Sequence, residues 1–284
     1  MQIPENLIFL RHGQSEANLL HKQEQSGSFD TSSYRDEILL RADWHHRLTK
    51  KGIQQSLLAG ETIKRLYGGL SYFDHLYVSP YYRTRETAGL VDKINQDENQ
   101  AVMPTARWEL NDQLVDRSWG TDSQLSNKER RERFPESVEL LHQTPWFAKY
   151  NNGENMLDVT ARLTGFIDSL KQTNSNNVLA VTHEGPMSAA RYIIEDMRPE
   201  EWERSSRDPE HAIRNATLLH YSRSDPHNKL KSQPYYAWRR MLYTDKLKKD
   251  SPDNGNWVKL DRRTRYTGAE LLRQVGGISP IIID

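Results

Sequence analysis

The sequence predicts an α/β fold, a three-layer α/β/α sandwich with a mostly parallel sheet. Short apolar runs of strand length alternate along the chain with longer segments in which apolar residues recur at helical spacing. Strands that alternate with helices are joined by crossovers, which place parallel strands in one sheet and helices on both of its faces. A chain of 284 residues with 36% hydrophobic and 27% charged residues is long and apolar enough to bury such a core.

Five short segments are predicted as strands of this sheet. The first of them is apolar throughout, which is typical of a strand buried on both faces. The second is ended by Ser79 and Pro80, because proline cannot continue a strand in the middle of a sheet. In chain order the five strands are residues 7–10, 73–78, 101–103, 178–181 and 217–221.

Helices are predicted in the segments between the strands. After Gly52, apolar residues return at helical spacing until Gly68, which is typical of a helix with one buried face and a glycine at its end. The other predicted helices begin at Ser15, span residues 82–95 and 155–172, and follow Pro186 to about residue 195. The remaining long segments are interpreted as a polar surface loop or insertion at residues 21–47 and a partly helical stretch at residues 126–150.

The domain organisation follows from where the alternation of strands and helices stops. Residues 1–221 are predicted to form one domain, and residues 222–284 an extension packed on it. The extension is basic, with 13 Lys and Arg against 7 Asp and Glu. Its basic residues are interleaved with aromatic ones, a pattern found both in anion-binding surfaces and in the solvated faces of additional strands. We favour the solvated face, because Trp and Tyr fill protein cores more often than they bind bases.

Composition excludes several classes of protein. The chain has no cysteine, so it has no disulfide, no cysteine nucleophile and no thiolate metal site. Its 39 basic and 39 acidic residues balance, which gives no reason to expect nucleic acid as a partner. No apolar stretch is long enough to span a bilayer, and the N-terminus lacks the regions of a signal peptide. We therefore expect a cytoplasmic protein without a membrane partner.

Arginine and histidine side chains follow three of the predicted strands. Arg11 and His12 come directly after the first strand, Arg83 lies shortly after the second, and His183 follows the fourth. Ligands of open α/β sheets bind at the carboxyl ends of the strands, where helix N-termini also favour anions. Two arginines and two histidines can hold a phosphoryl group there, and a neutral histidine can attack phosphorus. The sequence therefore predicts a phosphoryl-transfer site.

Five motifs in order resemble the histidine phosphatase superfamily, also called phosphoglycerate mutase-like. The first motif, LRHGQSEAN at residues 10–18, carries the signature of the family. The others are LTKKG at residues 48–52, SPYYRTRETA at residues 79–88, GEN at residues 153–155 with Arg162, and VTHEG at residues 181–185. One such motif is weak evidence, whereas five in the right order are specific. The resemblance covers residues 7–221.

The resemblance implies a role for each residue of the predicted site. His12 is the nucleophile that becomes phosphohistidine, and Arg11, Arg83 and His183 complete the phosphate pocket. The first loop of the family supplies a further phosphate contact, which falls on Asn18 here. The residues predicted to contact the substrate beyond the pocket are Asn18, Gln14 and Glu184.

A carboxylic acid that protonates the leaving oxygen is implied on the loop after the third strand. In the family this acid follows a leucine by two positions and precedes an aromatic residue and a glycine. Asp116 fits this pattern, with aspartate where the family more often has glutamate. Asp112 also stands two positions after a leucine but lacks the aromatic and glycine pair, so it is the alternative, and Glu109 is the third candidate.

Two further positions bear on the chemistry of the site. The residue after His183 is commonly glycine in the family, whereas this chain has Glu184, which is expected to face an outer part of the substrate or another side chain. The adjacent His45 and His46 lack the accompanying carboxylates and histidines of a metal site. We expect neither a metal nor another cofactor.

The sequence thus predicts a metal-independent phosphatase that hydrolyses a small phosphorylated substrate through phosphohistidine. Phosphoglycerate mutases of this family carry a pattern that runs on to Phe-Thr-Gly-Trp soon after the first histidine, and residues 21–47 contain nothing like it. A mutase is therefore the second hypothesis, and a phosphate-binding protein of the same fold without catalysis is the third. The sequence identifies neither the substrate nor the oligomeric state, so a homo-oligomer stays open.

Overall fold

The structure, a computed structural model, is built around one large β-sheet. It describes residues 2–26, 34–96, 106–121, 125, 127–149, 151–246, 248–261 and 266–277. The strands are β1 (Asn6–Arg11), β2 (His75–Val78), β3 (Trp108–Leu110), β4 (Asn177–Thr182), β5 (Thr217–Ser222), β6 (Ser224–Asp225), β7 (Asn228–Ser232), β8 (Trp238–Tyr243) and β9 (Val258–Lys259). The helices are α1 (Glu16–Gln25), α2 (Tyr34–Leu40), α3 (Lys50–Tyr67), α4 (Tyr82–Asn95), α5 (Asn127–Arg133), α6 (Pro135–Gln143), α7 (Met156–Ser169), α8 (Glu184–Ile194), α9 (Pro199–Arg207) and α10 (Gly268–Val275).

The main sheet has the strand order β3-β2-β4-β1-β5-β8-β9. Strands β3, β2, β4 and β1 are parallel, whereas β5, β8 and β9 each run antiparallel to the preceding neighbour in this order. The predicted α/β/α sandwich is confirmed, but the sheet is parallel in one half only. The chain returns to the sheet beside the carboxyl end of β1, where the Ala216 amide donates to the His12 carbonyl (3.2 Å). From there β5 must run back along β1, and β8 follows through the β6–β7 hairpin without a crossover helix.

Helices cover both faces of the parallel half. Successive side chains of β1 enter two separate apolar clusters, because side chains of a strand point alternately to opposite faces. Leu7 and Phe9 pack among residues of α7 and α8, whereas Ile8 and Leu10 pack among residues of α3 and α4. All four side chains are fully buried, so β1 is the central strand of a two-sided core, and the site residues follow directly from it.

One sequence prediction needs correction, and another falls on residues that the structure does not describe. The described part of residues 21–47 is largely helical instead of irregular, since α1 extends to Gln25, α2 spans Tyr34–Leu40, and a short 3-10 turn spans Asp43–His45. Of the side chains in this segment whose burial the structure describes, only Ile38 and His46 are buried, which is why the segment has no clear apolar periodicity. The predicted third strand at residues 101–103 lies outside the described residues, and β3 is found later in the chain. Helices α5 and α6 confirm that residues 126–150 are helical in part.

The C-terminal residues continue the same sheet. Strand β8 pairs with β5 along its whole length, from Tyr243 beside Thr217 to Trp238 beside Ser222. The division of the chain at residue 221 stays a prediction. Within the described part of the chain, no helix combines the length and the apolar character needed to cross a membrane.

Candidate active site

The two histidines of the predicted site follow neighbouring strands. Strands β1 and β4 pair in parallel register with Arg11 beside Thr182, and the His12 amide donates to the Thr182 carbonyl (3.0 Å). His12 and His183 therefore leave the sheet side by side, with ring centroids 5.0 Å apart. Only 1% of His12 and none of His183 is exposed.

The hydrogen bonds of His12 determine which ring nitrogen can react. Its Nδ1 lies 2.7 Å from the Gly13 carbonyl oxygen, and because a carbonyl only accepts, Nδ1 carries the proton. Burial, together with the positive charges of Arg83 and Arg11 and the neighbouring His183, lowers the pKa of His12 well below its ordinary value. The ring is therefore neutral at pH 7, and Nε2 holds the lone pair of a nucleophile.

Two glycines allow the backbone around His12 to pack tightly. A Cβ atom on Gly13 would lie 2.2 Å from the Gly52 carbonyl oxygen, and a Cβ atom on Gly52 would lie 2.1 Å from the Gln14 carbonyl oxygen. No side chain fits at either position. This contact brings the start of α3 against the loop after β1, which explains why glycine ends the LTKKG motif.

Arg83 lies at the centre of the polar network. Its side chain is 3% exposed, and it donates to Asp43, Asp116 and His183. Burial alone lowers the pKa of Arg83, but the charges of Asp43 and Asp116 outweigh burial and raise it overall. Arg83 is therefore a permanent cation beside the two histidines, the charge that a phosphate group requires.

His183 is held in the opposite tautomer from His12. Arg83 Nε donates to His183 Nδ1 (3.3 Å), so Nδ1 accepts and the proton lies on Nε2, which donates to Ser79 Oγ (2.8 Å). Burial and the charge of Arg83 lower the pKa of His183 well below its ordinary value. Ser79, from the SPYYRTRETA motif, thus orients the second histidine.

Asp116 is the candidate acid that the structure brings to the histidines. Its Oδ2 accepts from Arg83 (3.0 Å), and its Oδ1 accepts from the Arg117 amide (2.9 Å). A carboxylate oxygen of Asp116 and one ring nitrogen each of His12 and His183 lie within 4.8 Å of one another. Asp112 and Glu109, the alternatives, are both exposed, Asp112 at the start of a 3-10 turn and Glu109 in β3.

Arg11 and Glu184 form an ion pair. Arg11 NH1 lies 2.8 Å from Glu184 Oε2 and also donates to the Ile213 carbonyl. Glu184 thus faces another side chain, which is one of the two alternatives expected from the sequence. Arg11 Nε is buried without an acceptor among the described residues, which leaves a donor for an anion in a site rich in arginine.

Asn18 and Gln14 differ in their relation to the pocket. Asn18 Oδ1 accepts from Asn215 Nδ2 (2.9 Å), which also donates to the His12 carbonyl (3.3 Å), so Asn18 is linked through Asn215 to the backbone of His12. Gln14 Oε1 instead accepts from Thr49 Oγ1 (3.0 Å), and this contact holds the start of α3. Asn215 was not predicted from the sequence. The indication that could have found it is its position just before β5.

The arrangement favours an anion over a metal ion. His12, Asp116 and His183 could surround a cation by distance alone, but Arg83 donates to both the Asp116 carboxylate and the His183 ring. A cation there would meet the guanidinium charge at close range. The adjacent His45 and His46 do not suit a metal ion either. Nδ1 of His46 faces Asp43 Oδ1, and its Nε2 faces the Ile38 carbonyl oxygen.

Comparison with known proteins agrees with this geometry. Residues 7–232 match the family model of the histidine phosphatase superfamily, branch 1. The chain belongs to this superfamily. A 2,3-bisphosphoglycerate-dependent phosphoglycerate mutase of Bartonella bacilliformis is 27% identical over 199 residues, which are 69% of this chain and 84% of the mutase. Phosphoserine phosphatase 1 of Hydrogenobacter thermophilus is 26% identical over 184 residues, 64% of this chain and 72% of the phosphatase.

Solved structures share the fold of this histidine phosphatase superfamily member. A putative alpha-ribazole-5'-P phosphatase of Escherichia coli superposes with a TM-score of 0.58 at 19% identity, covering 78% of this chain and 92% of that protein. A mycobacterial glucosyl-3-phosphoglycerate phosphatase with inorganic phosphate gives a TM-score of 0.55 at 17% identity, covering 77% and 89%. At these identities the structures establish the fold alone.

The buried neutral histidines make stability depend on pH. Burial lowers the pKa of His12, His183 and His220 well below the ordinary value of 6.5. At a pH between the lowered pKa of the folded state and the ordinary pKa of the unfolded state, the unfolded chain binds protons that the folded chain does not. Their contribution is fully present above about pH 6.5 and is lost as the pH falls, by up to ~1.4 kcal/mol per pH unit for each histidine. We expect the urea midpoint to fall between about pH 7.5 and pH 5.5. Equal midpoints would contradict neutral burial.

Proposed function

We propose that this chain is a phosphomonoester hydrolase that works through a phosphohistidine on His12. The observation that supports the proposal is the protonation state of His12, a neutral ring with its proton on Nδ1. The ring is neutral, its Nδ1 proton is bound by the Gly13 carbonyl, and Nε2 is left to attack phosphorus beside two arginines. Such a nucleophile, with cations to stabilise the equatorial oxygens, is what phosphoryl transfer requires.

The first step forms the phosphohistidine. The Nε2 lone pair of His12 bonds to phosphorus while the bond from phosphorus to the leaving oxygen breaks. Asp116, a carboxylate paired with Arg83 in the free enzyme, enters this step with a proton bound, and the leaving alkoxide takes that proton. Its carboxyl group lies close to both histidines. The products of this step are an alcohol and a phosphorylated His12, whose Nδ1 keeps its proton and still donates to the Gly13 carbonyl.

The second step returns the enzyme to its starting state. A water oxygen attacks phosphorus, and Asp116, now a carboxylate, takes the proton of that water. The bond between phosphorus and Nε2 breaks, and its electron pair returns to His12. The net reaction converts a phosphomonoester and water to an alcohol and inorganic phosphate, with Asp116 regenerated in its protonated form.

A phosphoglycerate mutase is the second candidate, because one of the curated relatives named above is a mutase of this kind. In a mutase the phosphoryl group on His12 returns to a substrate molecule instead of water. The first step and its residues are the same in both, so the two candidates differ only in the acceptor. The phosphatase is favoured because residues 21–47 lack the sequence pattern of the mutases.

One experiment tests the proposal and separates the two candidates. The chain is incubated with a panel of phosphorylated metabolites and with p-nitrophenyl phosphate, and released inorganic phosphate is measured. 3-Phosphoglycerate with catalytic 2,3-bisphosphoglycerate is assayed in parallel for 2-phosphoglycerate. Phosphate release from at least one substrate supports the hydrolase, isomerisation without release supports the mutase, and neither activity supports a non-catalytic binding protein.

Activity should survive removal of divalent metals. The charges of Arg11 and Arg83 supply the electrostatic stabilisation that a metal ion supplies in metallophosphatases. We expect turnover of p-nitrophenyl phosphate in excess EDTA to stay within about twofold of the untreated rate. Magnesium-saturated EDTA is the control for ionic effects, and loss of activity that zinc, manganese or magnesium restores would contradict the proposal.

A further inference from the structure

The phosphate pocket already contains an anion from the protein itself. Arg83 has five N–H groups, and each faces an acceptor. Nε donates to His183 Nδ1 (3.3 Å), and NH1 donates to the Asp43 carbonyl oxygen (2.7 Å) and to Asp43 Oδ1 (3.2 Å). NH2 donates to Asp43 Oδ2 (3.3 Å) and to Asp116 Oδ2 (3.0 Å). A single residue, Asp43, thus takes three of the five donors.

A phosphate group that uses Arg83 must therefore displace one of these partners. Two parallel N–H bonds are the usual geometry between a guanidinium and an oxyanion. Asp116 and His183 each occupy only one donor of Arg83, so displacing either alone gives a phosphate one bond. Releasing the Asp43 carboxylate opens one donor on NH1 and one on NH2, which together form such a pair.

The exposure of the two side chains determines which of them moves. Arg83 is 3% exposed, whereas 37% of the Asp43 side chain is exposed. Asp43 begins the short 3-10 turn Asp43–His45 at the surface, and the next residue, Trp44, is 48% exposed. The Asp43 carboxylate can therefore rotate into water while the guanidinium stays in place.

Protonation does not remove this competitor near neutral pH. Burial alone raises the pKa of Asp43, but the hydrogen bond from His46 and the charge of Arg83 outweigh burial and hold the pKa far below its ordinary value. Asp43 is therefore an anion whenever the protein is folded near neutral pH, and an incoming phosphate must compete with it for Arg83.

We propose that Asp43 is an affinity-determining residue of the phosphate site, whose carboxylate competes with substrate and product phosphate for Arg83. This inference rests on the proposed function of the pocket. It has a direct consequence for turnover, because inorganic phosphate bound to Arg11 and Arg83 leaves faster when a carboxylate on the protein replaces it. Asp43 then weakens binding of the product and of any ligand that offers only a phosphate group.

The test compares phosphate affinity in matched variants of the full chain. Dissociation constants for inorganic phosphate are measured by isothermal titration calorimetry in the wild type, in Asp43→Asn and in Glu37→Gln. Glu37 is exposed on α2, six residues before Asp43, so its variant controls for the loss of one negative charge. We expect Asp43→Asn to bind phosphate about 10-fold more tightly, because a neutral amide competes less well for a guanidinium, and Glu37→Gln to bind like the wild type.

A double-mutant cycle shows whether the gain passes through Arg83. In an Arg83→Met background, Asp43→Asn should bring no gain in phosphate affinity, since the contested donors are absent. Unchanged or weaker binding by Asp43→Asn would overturn the inference, as would a gain that persists without Arg83. Asp43→Ser replaces Asp43→Asn if melting curves show that the latter is unfolded. If the wild type hydrolyses phosphomonoesters but Asp43→Asn has the wild-type dissociation constant for phosphate, only this inference is contradicted. An inactive wild type would contradict the proposed hydrolase.

Discussion

His12→Ala is expected to lose turnover of every phosphomonoester substrate by roughly 10⁴-fold or more. The variant removes the atom that is proposed to bond to phosphorus. The neighbouring ring, His183, donates through Nε2 to Ser79 and accepts from Arg83 through Nδ1, so both of its nitrogens are already engaged by the protein. His142→Ala, at an exposed position of α6, is the control and should keep the wild-type rate.

The intermediate itself provides a second measurement on the same variant. Incubation with a radiolabelled phosphomonoester, followed by an alkaline quench, should leave label on the wild type, because phosphoramidates are stable to base and labile to acid. Label should be absent from His12→Ala, while the melting temperature should show that the variant remains folded. Turnover near the wild-type rate in His12→Ala would contradict a phosphohistidine on His12, and so would a label that is stable to acid.

The meeting of the two histidines could be predicted from the sequence because both residues follow strand ends. Strands β1 and β4 are apolar and buried, so their positions are readable, and parallel pairing then brings His12 and His183 together. The LTKKG motif was informative for another reason. Gly52 meets the loop after β1 at a distance that no side chain tolerates, so the motif reports a packing contact.

What the sequence could not provide depends on contacts between distant segments. Asp43 lies 40 residues before Arg83, in a polar segment without periodicity, and nothing in its neighbours indicates a guanidinium partner. Asn215 bonds to the backbone of His12 across 203 positions. The antiparallel direction of β5 likewise depends on a distant contact, since the chain returns to the sheet beside the carboxyl end of β1, where the Ala216 amide donates to the His12 carbonyl.

The choice of Asp116 among three carboxylates shows where sequence and structure complement each other. Spacing after a leucine left Asp112 possible and Glu109 in reserve, because both lie on the same stretch of chain. The fold separates them. Asp116 contacts Arg83 and lies near both histidines, whereas the other two are exposed. Arg162 contributes to this placement by donating to the Asp116 carbonyl (3.1 Å).

Asp116→Asn is expected to divide substrates by their leaving groups. An alkoxide leaves slowly unless a proton arrives with bond cleavage, whereas p-nitrophenolate leaves readily without one. Asparagine keeps the size of the side chain and a hydrogen-bond acceptor for Arg83 but has no acidic proton. Turnover of alkyl phosphates should therefore fall by roughly 10²- to 10⁴-fold, while phosphorylation of His12 by p-nitrophenyl phosphate should fall far less.

Asp116→Asn should also slow the second step, because Asp116 takes the proton of the attacking water. With p-nitrophenyl phosphate the variant should release a rapid burst of p-nitrophenol and then turn over slowly, as phosphohistidine accumulates on His12. Asp112→Asn, at an exposed position two residues after Leu110, is the matched control and should behave like the wild type on both substrates. An equal loss on alkyl and aryl phosphates without a burst would mean that Asp116 only positions Arg83, and the proton would then have to come from another group.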